Sequence, residues 1–336
     1  MTDLRVAATR GGIVESSHRV SAAVVDAAGR LLARSGDPAL VTFWRSAAKP
    51  FQAMPMVEDG AADHFGFGLP ELALACASHS SEPVHRDLAH GMLRKLRLSE
   101  EALACGPHPP LSPELAEQVI REGTRLTPVW SNCSGKHAGM LALALYNEWP
   151  TPGYQRLEHP VQERIVSEIE RWTDVPADRL VLGVDGCTVV SFGLPLAAMA
   201  LAYARFGVST SPGAVRLREA MSGHPELIAG AGRLETELGR ALGGRVIAKV
   251  GADGIYCASL PAAGLGLALK VEDGDMRAAG PALLAVLRDL ASRAALGFDP
   301  ATLPASVLRQ ARVPILNTRG AETGVLHVTG ALRFLD

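Results

Sequence analysis

The period of the apolar residues changes twice along this chain of 336 residues, and that change limits the folds open to it. Near the start, residues 4–7 and 20–26 alternate as short strands do, with Asp26-Ala27-Ala28-Gly29 as the turn into a third strand at 30–34. From Lys49 to about Trp172 the apolar positions fall at helical spacing, in segments 71–77, 84–96, 113–122, 136–146 and 160–172. Ser112 before Pro113, and Pro160 at the head of its segment, are helix-start signals. Helices are expected at 194–205 and 211–221, then strands at 245–250, 255–260 and 264–271. A long amphipathic segment follows at 276–295, and strands at 324–328 and 332–335 close the chain. Strand-rich ends around a helical middle predict an α+β fold in which both termini build one antiparallel sheet packed against a helical region.

Composition removes several classes of function. Hydrophobic residues make up 48% of the chain, enough for a large core. A formal charge of -2 provides no basic field for a nucleic acid, so a small-molecule partner is expected. The first dozen residues carry Asp3, Arg5 and Arg10 and lack the apolar stretch of a secretory signal. The longest apolar run, 189–204, is broken by Ser191, Gly193 and Pro195 and reads as core, not as a membrane span. Five scattered cysteines suit a reducing cytoplasm better than a disulfide framework.

The basic residues are unevenly chosen. Of 33, only five are lysines, at 49, 95, 136, 249 and 270. Arginine stays protonated wherever it sits, whereas a buried lysine can lose its proton and act as a base or a metal ligand. Lysines retained in such a chain are therefore candidates for chemistry. Ser46 and Lys49, in Arg45-Ser46-Ala47-Ala48-Lys49-Pro50-Phe51, put a hydroxyl and an amine on one face of a helical turn. A serine needs a neighbour to take its proton, and a desolvated lysine can do so. The plain alternative is a capping serine beside a solvated lysine, but the flanking residues are apolar enough to bury the turn.

A second hydroxyl cluster, Ser78-His79-Ser80-Ser81, ends an apolar helical run, with Ser80 or Ser81 available to cap the helix near Pro83. Lys249-Val250-Gly251 ends an expected strand, where the glycine permits close approach and the lysine could equally face water. Cys133 and Cys187, with Lys136, His137 and Asp185, gather thiols, an amine, an imidazole and a carboxylate in two short segments. These suit zinc or substrate orientation, and equally two small buried cysteines.

Taken in order, Arg10-Gly11-Gly12, Arg45 to Pro50, Cys76 to Ser80, Asn132 to Met140 and Gly183 to Cys187 resemble the Rhizobium etli type of L-asparaginase, along most of the chain. The resemblance implies a serine β-lactamase-like fold, a homodimer, and a single catalytic domain over 1–336 with a β-rich part (about 1–45 and 245–336) and a helical part (about 46–244). It implies two Ser-Lys tandems, Ser46 with Lys49 and Ser78 with Lys249, and zinc on Cys133, Lys136 and Cys187 in a positioning role. Arg45, His137 and Asp185 would shape the substrate pocket. The implied activity is hydrolysis of L-asparagine. The other readings are a Ser-Lys hydrolase of glutamine or of a β-lactam, and a non-catalytic amino-acid or zinc-binding protein. Substrate contacts between Cys187 and Lys249 stay unassigned.

Overall fold

The computed structural model describes residues 2–335. Strands β1 (Arg5–Arg10), β2 (Ile13–Asp26), β3 (Leu31–Ser35) and β4 (Val41–Phe43) come first. Helices α1 (Lys49–Glu58), α2 (Ala61–His64), α3 (Leu69–Ala75), α4 (Pro83–Leu96), α5 (Pro113–Glu122), α6 (Ser134–Tyr146) and α7 (Pro160–Thr173) follow. Next are β5 (Val181–Val184), β6 (Val190–Pro195), α8 (Leu196–Val208), α9 (Pro212–Gly223), α10 (Pro225–Ile228) and α11 (Leu234–Leu242). The chain closes with β7 (Ile247–Gly251), β8 (Ile255–Leu260), β9 (Leu265–Val271), α12 (Met276–Ala291), α13 (Ala305–Leu308), β10 (Val313–Leu316), β11 (Glu322–Thr329) and β12 (Arg333–Phe334).

These elements form an α+β protein of two compact units. The first comprises residues 1–47, 194–208 and 241–336, and the second residues 48–193 and 209–240. The first border falls inside the Arg45–Lys49 motif, and the segment 194–208, inside the expected helical part, belongs to the β-rich unit.

In the first unit both termini enter one antiparallel sheet, ordered β10-β11-β1-β2-β9-β8-β7, with β3 joined to β2 and β12. Strands β8 and β9 are buried along almost their whole length, which requires cover on both faces. Helices α8 and α12 supply it. The apolar run at 189–204 is core, as its sequence suggests, although its first part is strand: Leu194 and Pro195 end β6 instead of opening a helix. The fit of α8 on β9 depends on Gly266, where a Cβ would lie 2.0 Å from the Ala200 carbonyl oxygen and 2.2 Å from the Ala204 nitrogen.

In the second unit α6 is the central helix. Every residue from Ser134 to Ala144 is buried, so it has no solvent face. Helices α1, α3, α4 and α7 pack around it. Gly135 and Gly139, one turn apart, let α3 and α1 come close: a Cβ at 135 would sit 2.4 Å from the Leu74 carbonyl, and one at 139 would sit 3.1 Å from Met56 Sδ. Glu168, sealed on α7, accepts hydrogen bonds from Trp172 Nε1 at 2.6 Å and Arg164 at 2.8 Å, with Arg171 alongside. Arg164 also grips Asp59 after α1. A buried carboxylate with this many donors is satisfied and ties α7 to α1.

The contact at Gly266 yields a direct test. Gly266→Ala forces backbone apart, and overpacking of this kind costs about 1–3 kcal/mol or more. The urea midpoint is expected to fall accordingly, whereas Gly186→Ala, where a Cβ meets nothing within 4 Å, should leave it in place.

Candidate active site

In the second unit, Lys49 opens α1 with 1% of its surface exposed, which rules out the solvated lysine considered from the sequence. Its Nζ lies 2.9 Å from Ser78 Oγ and 3.5 Å from the Asn132 carbonyl, and it also donates to the Ala77 carbonyl. Two carbonyls and a hydroxyl thus meet the three donor positions of a lysine amine; an amine that gives up one proton keeps the carbonyls for the other two and turns its lone pair to a serine hydroxyl. Ser78 follows α3 and is 4% exposed. Its own backbone is pinned by its N–H to the Ile228 carbonyl at 2.9 Å and by Arg233 Nη1 on its carbonyl at 2.5 Å.

Neither Ser80 nor Ser81 caps α4, the plain alternative open from the sequence. Ser81 Oγ donates to the Trp130 carbonyl at 2.7 Å, and α4 is opened instead by His85, whose Nδ1 accepts the Glu82 N–H at 3.1 Å. His79 Nδ1 accepts the Ser81 N–H and its Nε2 lies 2.9 Å from Ser134 Oγ. His85 Nε2 lies 3.0 Å from the Glu226 carbonyl. The two imidazoles stack with centroids 5.0 Å apart and planes within 9°. Accepting at Nδ1 and donating at Nε2 fixes the same neutral tautomer on both. Burial drives the proton affinity of both down, and for His79 the facing His85 adds to it.

The same unit gathers the cysteine cluster. Cys133 stands before α6, Lys136 lies in its first turn, and Cys187 sits in the β5–β6 turn. Lys136 Nζ donates to Cys187 Sγ at 2.9 Å. A hydrogen bond from Cys133, against the effect of burial and with help from the Lys136 ammonium, lowers Cys187 to about 5. The converse effect of Cys187, with burial, raises Cys133 to about 12. Burial pulls Lys136 down, but the Cys187 sulfur and then Cys133 outweigh it and hold the amine protonated. Asp185 feels both partners and caps its own turn through the Gly186 N–H at 2.6 Å. His137 is fully buried, its Nδ1 accepting the Tyr154 hydroxyl at 2.5 Å, and burial plus the Lys136 charge lowers it to about 3.

Among the described residues no group of three or more His, Cys, Asp or Glu side chains is placed to hold a metal. The converging donor set is two sulfurs and one amine, which suits zinc with one position left open once Lys136 gives up its proton. None of the five cysteines is in a disulfide.

In the first unit, Ser46 is half-buried in a 3-10 turn, Arg45–Ala48, that leads into α1. Trp44, fully buried, donates from Nε1 to Cys257 Sγ at 3.3 Å, and Tyr203 donates to the Ala47 carbonyl at 2.8 Å, so both sides of Ser46 are anchored. Arg45 lies in the left-handed region, at φ 51°. Lys249 lies in the middle of β7 (Ile247–Gly251) instead of near a strand end, and although β7 is an edge strand the side chain is fully buried and not on water; its Nζ donates to the Val250 carbonyl at 2.8 Å. The glycine at 251 permits close approach of the chain itself: a Cβ there would lie 2.9 Å from the Trp44 carbonyl.

Three participants have no counterpart in the sequence reading. The Asn132 carbonyl and Tyr154 act through positions set only by folding. Asp253, which pairs with Arg45 through an ion pair, had a signal in its Asp253-Gly254 turn dipeptide.

The neutral histidine stack sets an acid dependence. The unfolded chain takes protons at His79 and His85 below about pH 6.5, whereas the folded chain does not. Their contribution is complete above that value and is lost as the pH falls beneath it. Urea midpoints measured between about pH 7.5 and about pH 5 should decline, with a shallower slope in His85→Asn; a flat profile would contradict the assignment.

Residues 6–328 match a family described as L-asparaginase II. No curated protein matches the chain. Among the described residues no helix is long and apolar enough to cross a membrane.

Proposed function

Because this chain belongs to the L-asparaginase II family, we propose that it hydrolyses the side-chain amide of L-asparagine to aspartate and ammonia, with Ser46 as nucleophile and Lys49 as its base. The observation that carries the reading is the environment of Lys49, the base: a sealed amine with two backbone carbonyls as acceptors and the Ser78 hydroxyl at 2.9 Å, while Ser46 enters as nucleophile through its place three residues before Lys49 in the motif. Lys49 takes the Ser46 proton, Ser46 Oγ bonds to the amide carbon, and the carbonyl electron pair moves to oxygen. Collapse of that intermediate expels ammonia, which leaves with the proton taken from serine. Water, deprotonated by the same amine, then cleaves the ester and restores Ser46. Ser78 with Lys249 relays protons in this scheme, and Arg45, His137 and Asp185 shape the substrate's surroundings. Backbone N–H groups beside Ser46 would hold the oxyanion, worth a few kcal/mol in such sites.

The chain is read as a serine β-lactamase-like single catalytic domain working as a homodimer in the cytoplasm. The antiparallel sheet with its covering helices supports the α+β part of this reading, and the remainder is carried over from the family resemblance. Cys133, Lys136 and Cys187 would hold zinc, which when bound would help position the substrate. The Cys187 and Lys136 contact at 2.9 Å favours that set.

One distance favours a second reading. Lys49 is bonded to Ser78, so Ser78 could be the nucleophile with the same base. Ammonia release from L-asparagine and L-glutamine, with intact-protein mass of the trapped acyl-enzyme, separates the two. Ser46→Ala is expected to lose at least about a thousandfold in kcat while Ser78→Ala still acylates. The reverse pattern would transfer the role to Ser78, and hydrolysis of a chromogenic lactam in place of either amide would change the substrate class.

The metal assignment has its own readout. Purified protein should carry about one zinc per chain, and Cys187→Ser should lose most of it with the circular dichroism spectrum unchanged. Equal metal content in the two proteins would remove Cys187 from the ligand set.

A further inference from the structure

We infer that Asp253 is a positioning residue for Ser46, acting through Arg45. The inference rests on the reading of Ser46 as nucleophile, and it concerns how the residue before that serine is held in an unfavoured conformation.

A non-glycine residue in the left-handed region is strained and persists only where its surroundings impose it. Arg45, at φ 51°, immediately precedes Ser46. Its neighbours are fixed independently, Trp44 through Cys257 and Ala47 through Tyr203. A turn anchored only there could relax at Arg45. Its guanidinium, with 26% of the side chain exposed, is paired with the Asp253 carboxylate across 208 residues of sequence.

Asp253 is itself placed by the sheet. It lies in the turn joining β7 and β8, where Asp253 and Gly254 are consecutive left-handed residues at φ 57° and 76°. Lys270, on β9, donates to the Asp253 carbonyl and, at 2.7 Å, to the Val271 carbonyl, tying the turn to the neighbouring strand. The Val271 N–H reaches the Gly254 carbonyl at 2.9 Å. The order of support is therefore sheet, turn, carboxylate, guanidinium, and then the backbone entering Ser46. The strand that leads into this turn also carries Lys249, so one hairpin fixes both the amine and the carboxylate.

The Asp253 side chain is 65% exposed, so its packing contributes little to the fold. An asparagine at 253 tolerates the same backbone and removes only the charge. The experiment is steady-state kinetics on L-asparagine for wild type, Asp253→Asn and Ser46→Ala, together with the rate at which a fluorophosphonate probe labels Ser46, mapped by peptide mass spectrometry. For Asp253→Asn, kcat is expected to fall between about tenfold and about a hundredfold, with KM within about twofold. Probe labelling should slow in parallel and the thermal midpoint should stay put. Wild-type kcat and labelling would overturn the inference. So would a rise in KM alone, which would make Asp253 a partner of a substrate-binding Arg45. If Asp253→Asn lowers the thermal midpoint, Asp253→Gly removes the carboxylate with no backbone penalty at this φ, and the same criteria apply. Retained activity and labelling elsewhere in Ser46→Ala would instead defeat the nucleophile assignment, which separates that failure from this one.

Discussion

An amine removed from water must be given hydrogen-bond partners, or its burial costs several kcal/mol. Lys49 is the point at which this constraint organises the second unit. Its acceptors are the carbonyl after α3, the carbonyl before Cys133, and the Ser78 hydroxyl. All three must be fixed before the amine can be buried. Ser78 is held by the Ile228 carbonyl and by Arg233, and the segment before Cys133 leads into α6, whose glycines bring α3 within reach. Removing any of these supports would leave an amine with unmet demands in a dry interior. The packing around α6 and the chemistry of Lys49 are consequently one problem solved together.

The cysteine cluster follows a different logic. A thiol, a thiolate and an ammonium in a row satisfy one another, and each sulfur's proton affinity is the mirror of its neighbour's. The Lys136 and Cys187 contact presents nitrogen and sulfur together. His137, held neutral behind it by burial and by the Lys136 charge, adds no charge, and Tyr154 fixes its ring.

Much of the fold was legible because the decisive elements carry strong local signals. Segment 113–122 begins where its Ser112-Pro113 start predicts and keeps its expected bounds, and 255–260 matches its strand to the residue. Signals failed where they were short or mixed. Val181–Val184 and Val190–Pro195 are strands too brief to separate from helix by periodicity, and Val313–Leu316 carries a proline that argues against a strand. For the site, the sequence identified side chains of the right chemistry, and the scarcity of lysine pointed to Lys49, Lys136 and Lys249, all buried. It did not reveal partners. That Lys49 reaches Ser78, 29 residues on, or that Arg45 reaches Asp253, depends on how distant segments fold together, and no local pattern encodes it.

The substitution of arginine for lysine over most of this chain has a practical face. With three of the five lysines sealed inside, an amine-directed reagent meets only Lys95 and Lys270 as side-chain amines, and both are already engaged with carbonyls or a carboxylate. The remaining positive charge sits on guanidiniums that do not titrate in the accessible alkaline range. Reagents that couple, crosslink or acylate amines therefore find few lysine targets on this protein, and most of its basic charge persists as the medium turns alkaline.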